Sequence, residues 1–82
     1  MKNENINSLK KITADFLGID KNIIKEESNY YKDLDADSFD LANIIIEYEI
    51  YFNINIPYLY AKDMLEIKDV IKYIDKNYEN KF

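Results

Sequence analysis

Asp33, Asp35, Asp37 and Asp40 crowd around a single serine, Ser38, in the stretch DLDADSFDL at residues 33–41. Carboxylates at this density can hold a divalent cation, cap a helix, or mark the serine as a place of covalent attachment. A calcium loop of the EF-hand type needs oxygen ligands at positions 1, 3, 5, 7, 9 and 12, with Gly at 6 and a bidentate Glu at 12. Counted from Asp33, the first three ligands are present as Asp33, Asp35 and Asp37, but Ser38, Leu41 and Ile44 then stand at positions 6, 9 and 12. Half a loop remains, able to attract a cation only weakly, and no resident metal is expected. The capping alternative has a clear cause, since the unpaired N–H groups and positive dipole end of a helix favour acids before it. One or two acids suffice for that, and four repel one another. The attachment alternative places Ser38 at a helix N-terminus, where free N–H groups would stabilise the negative charge of a phosphate ester.

The rest of the composition narrows the chemistry. There is no histidine, which removes the usual general base, the usual zinc ligand and every Ser-His catalytic arrangement. There is no cysteine, so neither a disulfide framework nor a thiolate metal site is available. A serine activated by another enzyme needs no base of its own, which fits a chain without histidine. The 82 residues make one domain spanning 1–82, near the lower limit for a self-sufficient core, and 48% hydrophobic content argues against disorder. The net charge of −5 is uneven: residues 1–25 carry +2, residues 26–66 carry −8 and residues 67–82 carry +1. Such an acidic middle repels nucleic acid and anionic membrane and would attract a basic patch on a protein partner. No apolar run approaches the ~20 residues that span a bilayer. The polar start from Met1 to Ser8 lacks the apolar stretch of a signal peptide. These features lead us to expect a soluble, cytoplasmic, monomeric protein.

The elements that must position Ser38 can be read from spacing. Ile6, Leu9, Ile12 and Phe16 recur at steps of three and four and are closed by Gly18, predicting a first helix from about Asn5 to Leu17. A loop of weak order is expected from Gly18 to about Lys32, pinned by Ile19, Ile23, Ile24, Tyr30 and Tyr31. Leu41, Ile44, Ile45, Tyr48 and Phe52 form one apolar face of a second helix that begins near Ser38, capped by Asp37 or Ser38, and ends at Asn53 to Asn55. Pro57 can start a short helix over roughly 58–63, and Ile67, Val70, Ile71, Ile74 and Tyr78 predict a last one. The alternating FNINIP stretch is too short and isolated to build a sheet. The fold class is all-α: a small helical bundle with three longer helices, one short helix and a long loop between helices one and two.

The stretch around Ser38 resembles the Asp-Ser-Leu motif of acyl carrier proteins, with Phe39 in place of the usual leucine. The resemblance runs without gaps from about Leu9 to Ile74, and includes LGI at 17–19 and INIP at 54–57. It implies that Ser38 carries 4′-phosphopantetheine, with Asp37 beside it, transferred from coenzyme A by a magnesium-dependent phosphopantetheinyl transferase. The terminal thiol would hold acyl groups as thioesters and present them to acyl-transfer and chain-elongation enzymes. It further implies an acyl cavity lined by Tyr30, Leu34, Ile44, Tyr48, Phe52, Ile56, Ala61, Met64, Val70 and Ile74, which can equally be the plain core. Burial supports such a role, because about six methylenes at about 0.8 kcal/mol each gain about 5 kcal/mol at most, comparable to a small domain's stability.

Three departures stand out. Asp35 occupies the usual glycine position two residues before the Asp-Ser pair. Partner recognition is assigned to Asp33, Asp35, Asp37, Phe39, Asp40, Asn43, Ile46, Glu49 and Ile50, yet only Glu49 is acidic beyond Asp40 on that face, and Tyr58-Leu59-Tyr60 follows Pro57 where the family is acid-rich. This predicts partners held by apolar and aromatic contact, unless those tyrosines pack into the core. Tyr48 replaces a smaller aliphatic residue, which predicts a shallower pocket and short or medium acyl groups. Fatty acid synthesis is the default pathway. A dedicated carrier for polyketide, lipopeptide or cell-wall acylation is the alternative, with a cation-binding helical interaction domain lacking a prosthetic group as a further one.

Overall fold

The structure is a computed structural model that describes residues 1–79 and 81–82. Four α-helices follow one another along the chain: α1 Asn3–Leu17, α2 Ser38–Phe52, α3 Tyr58–Ala61 and α4 Ile67–Asn77. Among the described residues there is no strand, only an isolated bridge between Asn29 and Glu66. Three longer helices and one short one form the expected all-α bundle, and its Cα radius of gyration of 11.5 Å matches the ~12 Å of a packed domain this size.

Each boundary has a local cause. Gly18 sits in the left-handed region (φ 69°) and donates to the Ala14 carbonyl, and Ile19 N donates to the same carbonyl at 3.0 Å, so α1 stops there. Asn53, at φ 54°, ends α2 in the same way. Asp37, rather than Ser38, caps α2: its Oδ1 accepts from Asp40 N at 2.8 Å while Asp40 Oδ2 accepts from Asp37 N at 3.1 Å. This reciprocal capping box satisfies two otherwise unpaired donors. At the start of α4 only half of this device is present: Asp69 Oδ2 accepts from Glu66 N at 2.9 Å and from Leu65 N at 3.0 Å, while Asp69 N donates to the Glu66 backbone carbonyl.

The core is built mainly from α2 and α4. Leu41, Ile44, Ile45, Tyr48 and Phe52 are buried, as are Ile67, Val70, Ile71 and Ile74. In α1 the buried set is Leu9, Thr13 and Ala14, whereas Ile6 and Ile12 are half-buried and Phe16 faces solvent. The apolar period alone had put Phe16 inward. Helix α1 also starts two residues earlier than the expected Asn5, and α3 ends at Ala61, with Lys62 and Asp63 forming a turn beyond it.

The α1–α2 connection is not loosely ordered. Lys21–Ile23 form a 3-10 turn capped by Asp20, whose side chain accepts from Asn22 N. Further on, Tyr30 N donates to Leu65 O at 2.9 Å, Ile67 N to Ser28 O at 3.1 Å and Lys68 N to Glu26 O at 2.8 Å. These bonds tie the loop to the start of α4. Ile24 and Tyr30 pin it to the core as expected, while Ile23 and Tyr31 are exposed.

Candidate functional site around Ser38

Ser38 is exposed and is the first residue of α2. The approach to it is a chain of backbone locks. The Asn29 side-chain oxygen accepts from Tyr31 N and Lys32 N, and Asp33 Oδ2 accepts from Asn29 N at 2.7 Å. Ala36 N then donates back to Tyr30 O at 2.9 Å. Between these locks Asp35 adopts φ 59°, the conformation that favours glycine and that Asp tolerates better than most residues. Three of the four aspartates thus bond backbone N–H groups: Asp33 closes the turn, and Asp37 and Asp40 cap the helix. The half calcium loop does not assemble, since no three acids converge into a group able to hold a metal ion among the described residues.

A cleft of about 180 Å³ opens beside Ser38. Leu41, Ala42 and Ile45 of α2 line it together with Tyr58 and Ala61 of α3, Tyr31 of the loop and Lys62. Of the ten positions assigned to an acyl cavity, only Ala61 borders this cleft. The other nine, Tyr30, Leu34, Ile44, Tyr48, Phe52, Ile56, Met64, Val70 and Ile74, are all buried in the core. Tyr31, Ala42, Tyr58 and Lys62 were not foreseen. Ala42 carried a signal, being the small residue one turn below Ser38 at i+4.

The outer face of α2 groups Phe39, Asn43, Ile46 and Ile50 at helical spacing, and Phe39 and Ile50 are 80% and 70% exposed. Glu49 lies at the edge of this face, half-buried, with its carboxylate accepting from Ile56 N at 2.8 Å. Tyr58, Leu59 and Tyr60 are exposed on α3, so they are surface residues and not core tyrosines. The single acid of this face beyond Asp40 is therefore occupied within the fold, and the face leading away from Ser38 is mainly apolar and aromatic.

Beneath the site the core is not purely hydrocarbon. Thr13, Tyr30 and Tyr48 are fully buried, and their hydroxyls touch in a row: Thr13 with Tyr48, and Tyr48 with Tyr30 at 3.0 Å. Thr13 also donates to Leu9 O at 2.8 Å. Leaving one such buried hydroxyl without a partner would cost about 1–3 kcal/mol. Burial pushes the Tyr48 phenol up to about 12, and the Thr13 and Tyr30 hydroxyls temper the rise because both can turn to donate to a phenolate. Burial first, and then the neighbouring Tyr48, raise Tyr30 well above the ordinary tyrosine value. Thr13 is not legible from the apolar stripe of α1, because its hydroxyl makes it polar and only its partner Tyr48 gives it a reason to be buried.

Comparison with known proteins gives this geometry a lineage. The acyl carrier protein of Helicobacter hepaticus is 37% identical over 70 residues, covering 85% of this chain and 92% of that protein. That of Campylobacter lari is 34% identical over 67 residues, covering 82% of this chain and 87% of that protein. The chain belongs to the acyl carrier protein family. No family model matches it. For an acyl carrier protein, an exposed serine at the head of a capped helix and beside a cleft is the feature that most needs a chemical reading.

Proposed function

We propose that the protein is a non-catalytic acyl carrier that bears 4′-phosphopantetheine on Ser38. The observation that carries this reading is the placement of Ser38: an exposed hydroxyl on the first residue of α2, in a chain from this family, with an apolar cleft beside it. The residues present fit the group. The α2 N-terminus favours a phosphodiester anion, and the cleft offers apolar walls for what the arm carries. Lys62 is the cation on that lining. The bound arm supplies a thiol that holds an acyl group as a thioester. The attachment balances without any base from this chain: the Ser38 Oγ–P bond forms, the pyrophosphate P–O bond of coenzyme A breaks and 3′,5′-adenosine bisphosphate leaves. The serine proton passes to a base of the phosphopantetheinyl transferase.

Incubation with coenzyme A and a competent phosphopantetheinyl transferase should add the mass of one phosphopantetheine, and Ser38→Ala should abolish the gain. No gain in the unaltered protein would sink the reading. We place the carrier in the cytoplasm, serving acyl-transfer and chain-elongation enzymes of fatty acid biosynthesis.

The apolar face favours a second reading of the pathway, a dedicated carrier for polyketide, lipopeptide or cell-wall acylation. Phe39, Ile46 and Ile50 with Tyr58, Leu59 and Tyr60 make a surface suited to aromatic and aliphatic contact, and the recognition acids are confined to Asp33, Asp35, Asp37 and Asp40. Affinity for enzymes docking on α2 and α3 should change little between low and moderate salt. A steep loss over that range would show that charge dominates instead.

A further inference from the structure

The row of buried hydroxyls has a forced direction. Each hydroxyl has one proton to donate. Thr13 gives its proton to Leu9 O, so Tyr48 donates to Thr13 and Tyr30 donates to Tyr48. The chain links three elements: Tyr30 comes from the loop, Tyr48 from the middle of α2 and Thr13 from α1. It is complete as it stands, and every proton is used.

This arrangement bears on what the core can accept. Tyr30 and Tyr48 are the two largest fully buried side chains, so an acyl chain drawn into the bundle would have to displace them. A methylene chain has no donor or acceptor, so parting these hydroxyls leaves them unpaired in a dry interior, which offsets the gain from burying several methylenes. The cleft beside Ser38 lies outside this cluster and needs no such rupture. An apolar cavity of about 150 Å³ holds a benzene molecule, so a cleft of about 180 Å³ suits roughly six carbons.

Building on the carrier reading of Ser38, we propose that the Thr13–Tyr48–Tyr30 hydroxyl chain sets the cargo class. It bars a saturated acyl chain from the core and confines buried cargo to the cleft, so that groups of about six carbons or fewer are sheltered and the tail of a longer chain stays on the surface. Thr13, Tyr48 and Tyr30 are specificity-determining residues here, and none of them touches Ser38 chemistry.

The test loads the full chain with butyryl- or decanoyl-phosphopantetheine from the corresponding acyl coenzyme A and confirms each product by mass. Failure to load overturns the carrier reading itself. Once loading succeeds, the readouts are the melting temperature and the methyl resonances of Ile44, Val70 and Ile74. In the unaltered protein, decanoyl should raise the melting temperature no more than butyryl and leave those methyls unshifted. The double variant Tyr30→Phe with Tyr48→Leu keeps the Thr13–Leu9 bond and orphans no hydroxyl. There decanoyl should stabilise more than butyryl and shift the same methyls. Shifted core methyls in unaltered decanoyl protein would overturn the inference, as would a folded double variant that still excludes the chain. If the double variant does not fold, the unaltered protein alone still decides, and Tyr30→Phe, which removes only the terminal hydroxyl, replaces it as the comparison.

Discussion

Asp37 holds two jobs that a single substitution can separate. Its carboxylate caps α2 through Asp40 N, and its charge adds to the acidic collar around Ser38. Asn is as good a cap as Asp but carries no charge. Asp37→Asn should therefore leave the melting temperature nearly unchanged and slow phosphopantetheinylation of Ser38. Asp37→Ala should in addition cost about 1 kcal/mol of stability. An unchanged modification rate in Asp37→Asn would remove Asp37 from transferase recognition. At this scale much was legible in advance. The left-handed backbone at Asp35 and the acids at the start of α2 follow from local rules that act over three or four residues. The bond from Asn29 N to Asp33 was not foreseen, because it depends on a turn whose shape is set by contacts with Leu65 and Glu66, more than thirty residues away.

Among the elements, α3 is the weakest. It has four residues, no buried side chain and no side-chain cap. Helices this short gain almost nothing from their own hydrogen bonds, so packing must hold them, and α3 packs little. Native-state hydrogen exchange should find the amides of Ala61, Lys62 and Asp63 exchanging far faster than those of Ile44 and Ile45 in α2. Comparable protection would show that α3 is held as firmly as α2. Opening at α3 would widen the cleft beside Ser38, since Tyr58 and Ala61 form one side of it. The longer helices were legible from their apolar period and from Gly18 and Asn53, and the start of α3 from Pro57. The end of α3 was not, because nothing in Lys62-Asp63 forbids a further turn. The inward register of α1 was misjudged at Phe16 because Leu9, Thr13 and Ala14 take the buried face, with Thr13 bonded to Tyr48 of α2.

For the whole molecule, burial of two phenols ties stability to alkaline pH. A tyrosine in the unfolded chain titrates near 10, whereas Tyr48 in the folded protein is pushed up to about 12 by burial. The folded state holds the proton more tightly, so this contribution is intact below pH 10 and is lost as the pH rises towards 12. It amounts to roughly 3 kcal/mol for Tyr48, with Tyr30 acting in the same direction. The protein should keep its fold at neutral pH and lose stability steeply above pH 10. Of its eight tyrosines, two should ionise only as it unfolds, which a spectrophotometric titration followed alongside circular dichroism would check. Ionisation of all eight before any loss of helix would contradict the buried pair.

The same two phenols make the protein its own optical probe. The chain has no tryptophan, so its intrinsic ultraviolet emission comes from tyrosine. Six of the emitters are at least partly exposed, while Tyr30 and Tyr48 are fully buried with their hydroxyl protons committed to neighbours. Any guest that enters the core has to change the surroundings of those two rings, and any guest that stays in the cleft meets Tyr31 and Tyr58 instead. Label-free fluorescence of Tyr-to-Phe variants at these four positions can therefore follow where a cargo lies in real time, without a dye large enough to alter what it reports.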